Sequence, residues 1–171
     1  MSRFINFWSE FYIDPKATIY RDNIGRPLQI INLEPLFRWK FRGSFYHRQT
    51  VEDYIRKFNE LRELRGLDGF LEQFNAGGPI YRIFFLHCWR PGSYPIFDQH
   101  SYRAMQFINK NIIAKKIPGD EERQICIYKK EYIPFIKNIR KKTCFPFKKI
   151  DEALYMFGKF LQNFSNLFGN I

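Results

Sequence analysis

The chain has little of what would staple it, anchor it or load it with metal. Cysteine occurs three times in 171 residues, at Cys88, Cys126 and Cys144. The count is odd and no CxxC pair occurs, which argues against a secreted disulfide framework. With only three scattered histidines there is no zinc-ligand spacing either, so neither a metal nor another cofactor is expected. No apolar run approaches the roughly 20 residues that a membrane helix needs. The best stretch, residues 83–89, is interrupted by His87 and flanked by Arg82 and Arg90. The first residues lack the charged-then-apolar layout of a signal peptide. A cytoplasmic, monomeric protein without a membrane partner is the expectation. Acidic residues are also sparse: 17 Asp and Glu stand against 28 Lys and Arg, a formal charge of +11. That imbalance disfavours cationic partners and points to polyanions, nucleic acid first and an anionic surface second. The plainer account is a basic composition that only aids solubility.

What the chain has in abundance is aromatic side chains: twenty Phe, ten Tyr and three Trp. That excludes a disordered basic tail, because disorder needs low hydrophobicity. Helical periodicity dominates. Phe4, Phe7, Trp8, Phe11 and Tyr12 recur at helical spacing, and this helix should stop before Asp14-Pro15, since the residue before proline is pushed out of the α region. Residues 18–20 and 28–31, on either side of Asp22-Asn23-Ile24-Gly25, read as a small β-hairpin. Residues 37–42 alternate aromatic with basic. As a strand they would form a stacking platform for single-stranded nucleic acid; as a helix opening near Pro35, the favoured reading, their aromatics belong to the core.

Helices are further expected over residues 50–64, with Thr50 and Asp53 approximating a capping box, and over 67–74, 80–89 and 99–113. A charged loop should cover 115–122. Two more helices are expected at 127–139, kinked at Pro134, and from Pro146 onward. The fold class is therefore all-α with one small N-terminal β-hairpin. An N-terminal element (residues 1–48) would pack on a helical domain (residues 49–171).

The informative stretch runs from residue 74 to 103. A turn at Asn75-Ala76-Gly77-Gly78-Pro79 feeds an apolar helix, and its free N–H groups could hold a phosphate. Pro95-Ile96-Phe97-Asp98-Gln99-His100 then places one carboxylate at the start of the next helix. The plain reading of Asp98 is an N-cap. His100 and Arg103 on that helix could reach phosphate or make local contacts. Tyr81 and Trp89 could line a base pocket or be core, while His87 and Cys88, on an apolar helix, read as core groups rather than ligands. The basic run from Lys129 to Lys149 could track a duplex or form a solvated face.

This stretch resembles the helix-hairpin-helix base-excision DNA glycosylases (the HhH-GPD superfamily), as a divergent 8-oxoguanine DNA glycosylase-like member. Phe74-Asn75-Ala76-Gly77-Gly78 resembles the hairpin, Ile96-Phe97-Asp98-Gln99-His100-Ser101-Tyr102-Arg103 the catalytic segment, and residues 150–160 the closing helix. The resemblance implies a helical HhH-GPD-like domain and double-stranded DNA as partner. It implies excision of a flipped, damaged or modified base by cleavage of the N-glycosidic bond, with Asp98 catalytic. Ala76, Gly77, Gly78, His100 and Arg103 would contact DNA, and Tyr81 and Trp89 would line the base pocket. The sequence departs from the family pattern at Ile80, where bifunctional members carry a Schiff-base lysine, so a monofunctional enzyme is implied. The first hairpin glycine is Ala76. An HhH-type DNA- or partner-binding module without catalysis is the alternative.

Overall fold

The computed structural model describes residues 1–41, 46–61, 69–71 and 76–168, all of which lie in helices or their connections. Among the described residues the helices are α1 (Ser2–Glu10), α2 (Ala17–Asn23), α3 (Ile30–Lys40), α4 (Arg48–Leu61), α5 (Gly78–Trp89), α6 (Gln99–Lys110), α7 (Glu121–Ile127), α8 (Ile133–Thr143) and α9 (Phe147–Phe168), and residues 69–71 are helical as well. A π-helical segment, Tyr128–Tyr132, joins α7 to α8. The all-α class is as expected; the N-terminal β-hairpin is not. The turn residues do form a turn, with Gly25 at φ 70°, but it connects α2 to α3 rather than two strands. A two-stranded ribbon is marginal on its own. As a helix, the same segment buries Tyr20 and lets its hydroxyl bond the His87 ring at 2.8 Å.

The chain forms two compact units. One is residues 1–13 together with 95–171; the other is residues 14–94. In the second unit α2 packs on α3 and α3 on α4. Its core is largely rings. Phe37 lies 4.7 Å from Tyr81 and 5.0 Å from Phe84, and Phe70 stacks on Phe85 at 5.2 Å. Helix α3 begins at Ile30, before the expected opening at Pro35, which lies inside it. It places Phe37 in the core and pairs the exposed Arg38 with Glu34. Among the described residues of that stretch, Phe37 faces the core and Arg38 is exposed, as neighbours about 100° apart on a helix can be. Helix α4 begins at Arg48, so Thr50 sits in its first turn and not at the cap. Of the expected helices 50–64 and 67–74, residues 62–64, 67–68 and 72–74 lie outside the described residues.

In the first unit α9 packs along both α6 and α1. Phe4 and Trp8 of α1 meet Phe157 of α9 at 5.0 and 5.1 Å between ring centres. Such pairs add roughly 0.5–1.5 kcal/mol beyond the apolar area they bury. The π-helical segment immediately precedes Pro134 in the first turn of α8. Proline lacks the N–H that would continue a regular ladder, and its ring presses on the preceding turn. Widening that turn, with the Ile133 N–H bonded to the Tyr128 carbonyl, accommodates it without a break. The expected kink is therefore a π bulge, and it buries both Tyr128 and Tyr132.

Candidate functional site

Asp98 occupies the N-cap of α6 in extended backbone. Its Oδ1 accepts hydrogen bonds from the backbone N–H groups of His100 and Ser101, each at 3.0 Å. The Ser101 hydroxyl, fully buried, accepts from the Asp98 N–H at 3.0 Å and donates to the Asp98 carbonyl at 3.0 Å. This reciprocal capping box fixes the carboxylate against the helix N-terminus, where negative charge is favoured. Asp98 itself is half-buried.

Tyr132 approaches the same region from the π-helical segment. Its hydroxyl is buried and makes no well-aligned hydrogen bond among the described residues. Burial and the nearby Asp151 and Asp98 carboxylates push the phenol well above its ordinary value, while the Ser101 hydroxyl pulls it back. Asp151, in the first turns of α9, is 8% exposed. Two carboxylates, a phenol and a serine hydroxyl therefore share one neighbourhood. Of these four groups the sequence points only to Asp98 as a site residue. Asp98-x-x-Ser101 was a legible capping pattern, whereas nothing local marks Tyr132 or Asp151 as its neighbours.

His100 and Arg103 follow on the same helix. The His100 Nδ1 lies 3.2 Å from the Arg103 Nη1. A guanidinium only donates, so Nδ1 accepts and a neutral ring carries its proton on Nε2. Tyr155 meets the His100 ring edge-on at 4.9 Å. Arg103 is 2% exposed. Its Nε donates to the Ala114 carbonyl at 2.8 Å and its Nη2 to the Lys115 carbonyl at 3.0 Å. Its Nη1 also reaches the Gly158 carbonyl at 3.2 Å and the Gln162 Oε1 at 3.4 Å. Burial lowers its pKa, and the Asp98 charge opposes that. Arg103 thus ties α6 to the loop after it and to α9.

The other candidates belong to the second unit. Ala76 and Gly77 are exposed and Gly78 is half-buried. Gly77 and Gly78 have φ of 76° and 70°, a conformation that favours glycine. Gly77 caps α5 with no side-chain hydrogen bond, and the Tyr54 hydroxyl donates to the Ala76 carbonyl. Phe74 and Asn75 of the expected hairpin lie outside the described residues. Tyr81 is buried, and its hydroxyl accepts from the His47 N–H at 3.1 Å. Burial raises its pKa. Trp89 is half-buried, stacked on Tyr94 at 5.9 Å with the Arg90 guanidinium 4.1 Å from its ring. His87 is buried; its Nδ1 donates to the Tyr94 carbonyl at 2.7 Å, leaving Nε2 to accept from Tyr20. Cys88 is buried beside it, and burial pushes its thiol well up.

Among the described residues no group of three or more His, Cys, Asp or Glu side chains could hold a metal ion. No helix among them is long and apolar enough to cross a membrane. The fold defines an all-helical protein. Comparison of the chain with protein-family models, with curated proteins and with solved structures gave no match.

Proposed function

We propose that the protein binds double-stranded DNA and excises a flipped, damaged or modified base by hydrolysis of the N-glycosidic bond. The observation that carries this reading is Asp98: a half-buried carboxylate locked in one orientation by two backbone N–H groups and a capping serine. As the glycosidic bond breaks, positive charge grows on the sugar. A carboxylate that needs no reorganisation stabilises that charge where it develops. The turn at Ala76-Gly77-Gly78 supplies exposed backbone at a helix N-terminus, suited to a phosphate. Lys137, Lys141 and Lys142 of α8 are exposed and form no ion pair among the described residues, so they are available to the duplex backbone. Ile80 in place of the lysine keeps the reaction hydrolytic, without a Schiff base.

A second reading has its own support. The capping box and the buried hydrogen bonds of Arg103 account for Asp98, Ser101 and Arg103 as structure alone, which suits a DNA- or partner-binding module without chemistry. Asp98→Asn separates the two readings, because asparagine caps helices as well as aspartate but carries no charge. Incubation with duplexes bearing single damaged or modified bases should yield abasic sites with the native protein. With Asp98→Asn the yield should fall by about 100-fold or more, the loss typical of removing one electrostatic stabiliser. Excision that survives the substitution would remove Asp98 from the mechanism. Absence of excision across a broad panel would select the binding module.

A further inference from the structure

We infer that a cleft at the C-terminal end of α9 is a phosphate-binding site whose buried charge is the Arg103 guanidinium. The cleft has a volume of about 420 Å³ and is lined by Arg103, Ile113, Ala114, Lys115, Gln162, Ser165 and Asn166. That volume lies within the range of small-ligand sites.

The case begins with the unusual state of Arg103. A guanidinium remains protonated, and taking a cation out of water costs several kcal/mol unless a counter-charge compensates. Among the described residues every hydrogen-bond partner of Arg103 is neutral: three backbone carbonyls, one side-chain amide oxygen and one imidazole nitrogen. No carboxylate forms an ion pair with it among the described residues; the Asp98 charge acts on it only from beyond ion-pair distance. Its Nη2 spends one of its two N–H groups on the Lys115 carbonyl, and no hydrogen bond among the described residues uses the other.

The rest of the lining has the same sense. Lys115 is exposed and makes no ion pair among the described residues. Gln162, Ser165 and Asn166 supply amide and hydroxyl donors, and no Asp or Glu lines the cleft. Two cations with neutral donors and no acid select an oxyanion. Donors arriving from a loop and from a helix suit the several oxygens of a phosphate better than the two of a carboxylate. The phosphate can belong to a free nucleotide-sized ligand or to a nucleic-acid backbone. The site does not depend on the chemistry assigned to Asp98.

The test follows the Arg103 Nε–H resonance of the full-length chain by NMR. Inorganic phosphate, a nucleoside 5′-monophosphate and a short DNA duplex are titrated separately. Lys115→Glu and Asn166→Asp put a carboxylate at the cleft from exposed positions and leave the Arg103 hydrogen bonds in place. A shifted resonance, with affinity reduced about tenfold or more in both variants, supports the site. A response to the small phosphates identifies a free ligand, and a response to the duplex alone identifies a nucleic-acid backbone. No shift with any of the three, or binding that neither variant weakens, overturns the proposal. The excision assay with Asp98→Asn reads a different residue, so failure of one reading is distinguishable from failure of the other.

Discussion

At Gly158 a methyl group would stand 1.9 Å from the carbonyl oxygen of His100 and 2.6 Å from its carbon. The neighbour is backbone, so it cannot swing aside. This glycine permits the close crossing of α6 and α9, and its own carbonyl reaches Arg103. Gly158→Ala should cost about 3 kcal/mol or more, at the upper end of overpacking penalties, and lower the melting temperature by roughly 6–12 °C at about 2–4 °C per kcal/mol. Gly92→Ala is the control, because a Cβ there meets nothing within 4 Å. Thermal melts of the two variants check the claim, and equal behaviour would refute the close crossing. The glycine is plain in the sequence, but its reason is not. A glycine inside a helical pattern reads as a weak point until the opposing backbone is known.

The helix ends repeat this division. Asp98 and Asp120 both cap helices with their side chains; the sequence suggests the first, whereas residues 115–122 read as a charged loop and α7 nonetheless begins at Glu121. The C-terminal ends are less regular. Helix α8 ends at Cys144 with φ 60°, a left-handed conformation carried by a residue that gains nothing from it. Cys144 is exposed. Cys144→Gly should therefore stabilise the protein by about 1 kcal/mol, the cost of that conformation for a residue with a Cβ. Chemical denaturation midpoints would register the gain, and a loss would mean that the side chain contributes something the geometry does not reveal. Asn111 ends α6 in the same conformation, but asparagine tolerates it. The missing hairpin is an element-scale lesson too. Residues 18–31 have good turn chemistry and β-branched side chains, yet they form two helices joined by a turn and no strand. The decisive contact is Tyr20 on His87, 67 residues away in sequence.

Across the whole molecule, charge and buried acids set the response to conditions. If the +11 charge serves DNA, affinity should fall steeply with salt, with a logarithmic slope of about −0.9 per phosphate neutralised on a duplex. Binding isotherms at several salt concentrations test this, and a flat response would disconnect the charge from DNA. The buried tyrosines predict alkaline weakness. The Tyr132 and Cys88 pKa values are raised well above ordinary values of 10.0 and 9.0, and those of Tyr81 and Tyr102 are raised as well. Desolvation is the first cause in each case. The folded state then holds these protons more tightly than the unfolded chain. Their contribution is intact below the unfolded values and is lost as pH rises past about 9 to 10 toward the folded values. Stability measured from neutral to strongly alkaline pH should decline above that threshold. Tyr132→Phe, which removes the buried phenol, should flatten the decline.

The sequence by itself determined the helical class, the aromatic supply of the core, the cap at Asp98 and the excess of positive charge. Each of these rests on composition or on residues within a turn or two of one another. Only the tertiary structure decided that α1 belongs with the C-terminal unit, because the spacing of Phe4 and Trp8 marks an apolar face without saying that Phe157 covers it. It likewise placed Arg103 beneath a cleft, Tyr132 near Asp98 and Gly158 against His100. Burial and charge compensation depend on what stands opposite a side chain in space. A residue type and its spacing along the chain do not carry that information.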